Sequence, residues 1–212
     1  MKKLCILFAL FISAVAQSQG TTGIFKFKWN IDNRLTNTVI INNTGNGDLF
    51  IPTNLYDSVI SRVEYLVTQE LHSDTKWIYP INRRGKELKT NSTSSQVGGL
   101  PRGTKRQAMR SEYLEYYVKF RITVGLNKTF TFGGVNASYS RLKPYVRVKM
   151  KAYGIDRRLK KRKNIRLGNF DSIGSFDFNV GGTTVTQTNG LPINEVLDMV
   201  FKGLKKFEEK AQ

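Results

Sequence analysis

An α+β fold, with a mostly antiparallel sheet and two amphipathic helices packed on one of its faces, is what this sequence predicts. Three observations carry that expectation. Two stretches repeat apolar residues every three or four positions, which gives each helix a single apolar face. Several longer stretches alternate apolar and polar residues, which gives strands with one buried and one wetted face. The order runs strand, helix, strand, long loop, three or more long strands and a closing helix, so the economical packing puts both helices on the apolar side of one sheet.

The chain opens with Met1, Lys2 and Lys3, then an apolar run over residues 4–15, then the small-x-small pattern of Ala14, Val15 and Ala16. Residues 1–16 read as an export leader cleaved before Gln17, because about a dozen apolar residues fall short of the roughly 20 that span a bilayer. Cys5 lies inside the run, so the mature protein, residues 17–212, is expected to be a single domain without cysteine, held by its core alone. No later segment is apolar enough to span a membrane as a helix. The two-lysine start and the polar residues after the cleavage pattern resemble the leaders of Bacteroidetes-type envelope proteins.

Residues 24–29 alternate loosely and residues 38–41 form a short β-branched run, closed by the turn-rich Asn42, Asn43, Thr44, Gly45, Asn46 and Gly47. Leu55, Val59, Ile60, Val63, Leu66, Val67 and Leu71 then predict a helix over about 54–72. Residues 77–79 read as a short strand. Residues 82–110, rich in Gly, Ser and Thr, read as a long mobile loop. Over 112–124 the even positions Leu114, Tyr116, Val118, Phe120, Ile122 and Val124 form the apolar face of a long strand. Residues 145–153 repeat the pattern with Arg147, Lys149 and Lys151 on the polar side, and 165–180 supply a further strand pair or a bent strand. Ile193, Val196, Leu197, Val200, Phe201, Leu204 and Phe207 make the stripe of a terminal helix that starts after Pro192.

A short strand ending in Asn42, Asn43, Thr44 and Gly45, an amphipathic helix, a long strand through residues 144–156 and a closing helix resemble the layout of periplasmic envelope-assembly subunits related to the curli-secretion lipoprotein. The likeness spans residues 37–210 and rests on element order, without a shared motif and without that family's lipid-bearing cysteine. It implies an envelope location and an assembly role, and it transfers no site residue.

Chemistry is constrained by what the chain lacks. With one His and one Cys, thiol, zinc and Ser-His-Asp chemistry have almost nothing to draw on. His72 falls at the predicted end of the first helix, where histidine commonly serves the helix terminus. The acids are scattered, so no catalytic residue, metal ligand or cofactor is assigned, and the protein is expected not to be an enzyme. The alternative is a secreted hydrolase acting on an anionic substrate with a carboxylate pair, the 82–110 loop serving as its lid.

Charge is the feature that stands out. Lys and Arg number 34 against 16 Asp and Glu, for a net charge of +18. Between Arg141 and Arg166 there are twelve Lys/Arg and one acid, Asp156, and the peak is Arg157, Arg158, Lys160, Lys161, Arg162 and Lys163. These six are the candidate anion-binding residues, expected at the tip of a hairpin projecting into solvent, with Arg147, Lys149 and Lys151 adding a basic row on the sheet. The expected partners are an anionic envelope surface or acidic polymer, namely lipopolysaccharide, anionic lipid or acidic polysaccharide, together with other envelope proteins. No sequence-specific nucleic-acid motif accompanies the charge. The chain therefore reads as an exported periplasmic, outer-membrane-associated or extracellular binding or assembly module.

Overall fold

The computed structural model describes residues 20–210 except 43, 46 and 135, so the leader at 1–16 lies outside the described residues. Among the described residues nine strands form one sheet: β1 (Thr21–Ile31), β2 (Val39–Ile41), β3 (Thr44–Gly45), β4 (Asp74–Trp77), β5 (Tyr116–Gly133), β6 (Ala137–Gly154), β7 (Leu159–Leu167), β8 (Ile173–Val180) and β9 (Thr183–Thr188). The described helices are α1 (Asn33–Thr36), α2 (Thr53–Leu71), α3 (Lys105–Ser111) and α4 (Ile193–Glu209).

The sheet is mixed and curls into a half-barrel, which corrects the expectation of a mostly antiparallel sheet carrying two helices. Its order is β3-β2-β9-β8-β6-β5-β1-β4, with β7 on the second half of β6. β1 lies parallel to both β4 and β5, Thr22 facing Tyr116 on one side and Thr75 on the other. Parallel neighbours need a long crossover, and the chain from β1 to β4 supplies one that contains α2. Alternation along a strand says which face is buried and nothing about the direction of its neighbours, so this arrangement left no local mark in the sequence.

On the inner face, Phe27, Trp29 and Ile31 of β1, Val118, Phe120, Ile122 and Val124 of β5, and Val146, Val148, Met150 and Ala152 of β6 meet α2 and α4. α2 contributes Val59, Val63, Leu66 and Val67, and α4 contributes Val196, Leu197, Val200, Leu204 and Phe207. Gly203 lets α4 come close, since a Cβ there would stand 2.5 Å from Val146 Cγ1. α3 packs elsewhere. Between Ile24 and Lys26 the register of β1 shifts, and Phe25 joins Ile78, Ala108, Leu114 and Tyr117 in a second, smaller cluster. Tyr117 has the odd parity of the outer face, so α3 covers one end of the side opposite α2 and α4.

The segment 82–110 runs along β1, tied by Phe27 N–H to the Pro101 carbonyl at 2.9 Å, Val97 N–H to Trp29 at 3.0 Å and Ile31 N–H to Ser95 at 2.9 Å. It buries Val97 and Leu100 and carries α3, whose Thr104 and Gln107 form a reciprocal cap. Among the described residues no helix is long and apolar enough to cross a membrane.

Candidate polyanion-binding face

Strand register aligns charge across the outer face. Lys26 of β1 stands beside Lys119 of β5, Lys119 beside Lys151 of β6, and Lys151 beside Arg162 of β7. Two residues along, Lys28, Arg121 and Lys149 form the next row, and Arg147 and Arg166 belong to the row after it, which Asn30 and Thr123 complete. Neighbouring strands lie about 4.8 Å apart and successive rows about 6.7 Å apart, so nine cations share one patch of strand surface. The salt bridges of the described residues use none of these nine.

Crowding shows in the protonation equilibria. Partial burial, then repulsion from Lys28, Arg121 and Arg102, pulls Lys26 below the usual lysine range. Lys119 is lowered by partial burial and by Lys26, Arg121 and Lys151, and Lys149 by loss of solvent and by Arg147, Arg121 and Arg162. Each of these groups gains if an anion arrives.

The six residues singled out in the sequence are not gathered at a tip. The β6–β7 turn holds only Arg157 and Arg158, and β7 already begins at Leu159. Asp156 organises the turn, accepting from Arg158 N–H at 3.0 Å and from Lys160 Nζ at 2.8 Å. Strand alternation then splits the remainder. Lys161 and Lys163 point to the helix side, where both bind the Glu70 carboxylate at the end of α2, and Lys163 lies 4.4 Å from the Phe207 ring centroid. Arg162 points to the outer face and joins the cation rows. Of the six, Arg157, Arg158 and Arg162 are exposed and make no salt bridge among the described residues. The row of Arg147, Lys149 and Lys151 was legible from alternation. Its extension through Lys119, Arg121, Lys26 and Lys28 was not, because those positions come together only through register.

One side chain binds the third row to a cavity. Tyr145 lies over Gly125, where a Cβ would fall 2.6 Å from its ring and hydroxyl atoms. Arg166 Cζ stands 4.2 Å and Arg147 Cζ 5.8 Å from the Tyr145 ring centroid, and Arg166 also donates to Asn127 Oδ1 at 2.8 Å. Arg147 Nε is buried without a hydrogen-bond partner among the described residues.

No family model matches the chain, and no curated protein does. Among solved structures, the crystal structure of a putative neuraminyllactose-binding hemagglutinin homolog from Helicobacter pylori aligns over 92% of this chain and 90% of its own, at 6% identity and a TM-score of 0.34. A likeness that slight fixes neither fold nor function.

Elsewhere, His72 is exposed and ends α2 in the left-handed region, with φ of 49°. Asp171, Glu195 and Asp198 line a pocket of about 310 Å³, but all three are exposed and Asp198 pairs with Lys202 at 2.7 Å. Among the described residues no three of His, Cys, Asp and Glu gather where they could hold a metal ion.

Proposed function

We propose that the protein is a non-enzymatic binding module whose outer sheet face holds an anionic envelope surface or acidic polymer, of the class of lipopolysaccharide, anionic lipid or acidic polysaccharide. The observation that carries this reading is the alignment of nine cations over β1, β5, β6 and β7 with no carboxylate among them. A merely solvated face gains nothing from placing like charges directly opposite one another, an arrangement that costs stability. The leader pattern at 1–16 supports export, and the element-order resemblance to envelope-assembly subunits points to the same compartment.

Each basic residue close to an anionic surface contributes about 1 kcal/mol, reduced by mutual repulsion and imperfect reach. Changing Lys119, Arg121, Lys149 and Lys151 to Gln should therefore cost about 2 kcal/mol, or roughly thirtyfold in affinity. The experiment is co-sedimentation with anionic liposomes and with lipopolysaccharide at low and high salt, with circular dichroism as the folding control. The wild type should bind and release as salt rises, the fourfold variant should bind weakly, and Arg157→Ser with Arg158→Ser at the turn should bind nearly as the wild type does. Binding that is absent, or unmoved by both the fourfold change and salt, would overturn the reading.

A further inference from the structure

A cavity of about 550 Å³ opens where β1 ends beside β5, within the range typical of small-molecule sites. Its lining includes Asn30, Asp32, Ser95, Thr123, Gly125 and Tyr145. The one carboxylate, Asp32, is neutralised by Arg34, which donates from Nε at 3.0 Å and Nη2 at 2.8 Å, and it also caps α1 through Arg34 N–H. The hydrogen bonds of the described residues leave the Asn30 amide, the Ser95 and Thr123 hydroxyls and the Tyr145 hydroxyl available. The cavity thus offers amide, hydroxyl and aromatic groups without net charge, and its Tyr145 wall is flanked by Arg147 and Arg166.

We propose that this cavity receives a sugar ring of an anionic oligosaccharide whose carboxylate or phosphate groups lie on Arg147 and Arg166 and continue onto the cation rows. Neutral donors and acceptors beside an aromatic ring suit a polyhydroxylated ring, and the guanidinium fork suits either acid group. The inference rests on the anion-binding reading above and narrows it. A bare polyphosphate or a flat lipid surface would use the cations and leave the cavity idle, whereas an acidic glycan uses both.

Isothermal titration of the purified protein with trigalacturonate, a phosphorylated glucan trisaccharide and tripolyphosphate tests it. Asn30→Ala with Thr123→Val strips polar groups from the cavity, Tyr145→Phe removes a hydroxyl with little risk to folding, and Lys119→Gln with Lys151→Gln thins the cation rows. The cavity variants should weaken at least one acidic trisaccharide by about tenfold. They should leave tripolyphosphate unchanged, while the lysine variant should weaken every probe. The trisaccharide that responds identifies the acid group. If both trisaccharides bind no tighter than tripolyphosphate and ignore the cavity variants, the inference fails and the charge reading stands. If no probe binds, the charge reading fails with it.

Discussion

Glu70 ties the last turn of α2 to β7, and its side chain is only 3% exposed. Burial pushes its carboxyl up, but hydrogen bonds from Lys163 and Lys161 outweigh burial and hold it below the ordinary glutamate range. Lys161 also donates to the Glu70 carbonyl at 2.7 Å, satisfying a terminal acceptor of the helix. Glu70→Gln should cost about 3–5 kcal/mol, because Lys163 would stay buried beside Phe207 without its countercharge. The sign of the pH effect follows from the lowered value. The contribution is complete above the unfolded-state pKa and disappears as pH falls through the lower folded-state pKa, so wild-type denaturant midpoints should fall as pH drops through and below the ordinary glutamate range, more steeply than those of Glu70→Gln. In the sequence, Lys161 and Lys163 were indistinguishable from Arg162. Only once β7 is known as a strand does parity assign two of them to an internal clamp and the third to the outer face.

At the scale of elements, α2 and α4 were the most legible parts, since each repeats its period for many residues, whereas the strands expected over 112–124 and 145–153 cover only about half of β5 and of β6. The apolar stripe of α4 runs through Leu204 and leaves Lys205 off it, and in the structure Leu204 is fully buried and Lys205 exposed. Leu204→Ala should destabilise by about 2–5 kcal/mol, and Lys205→Ala by less than about 0.5, in parallel denaturant melts. The run at 157–163 resembles a solvated loop because it is so rich in cations, whereas the turn holds Arg157 and Arg158 and β7 takes the other four, turning Lys161 and Lys163 to Glu70 and Arg162 to open solvent while Lys160 pairs with Asp156. β9 carries no strand signal in the sequence because Thr183, Thr184, Thr186 and Thr188 lack apolar contrast, although Thr186 and Thr188 are buried. The 82–110 segment carries no strand period, and its hydrogen bonds to β1 come from backbone groups that composition does not reveal.

The whole molecule carries a net charge of +18, and the outer face concentrates repulsion that folding alone cannot relieve. Raising salt from about 0.01 to 0.15 M shortens the Debye length from about 30 to 8 Å, so the melting temperature should rise over that range. A falling melting temperature would mean that the ion pairs, Glu70 with its two lysines foremost, dominate the balance. The basic character and presence of paired long strands could be read directly from the chain. The mixed sheet and the four-strand alignment could not, since both depend on contacts between residues about ninety positions apart.

Placing β1 between β4 and β5 also imposes a timetable. The strand is made first, yet its partner from Tyr116 onward emerges about ninety residues later. At 5–20 residues per second that is a wait of about 5–20 s, far longer than the microseconds in which a local hairpin closes. Throughout it, Ile24, Phe27, Trp29 and Ile31 have no β5 to cover them. A chain built in this order carries an apolar strand without its main neighbour until its middle exists, and topology alone sets that interval.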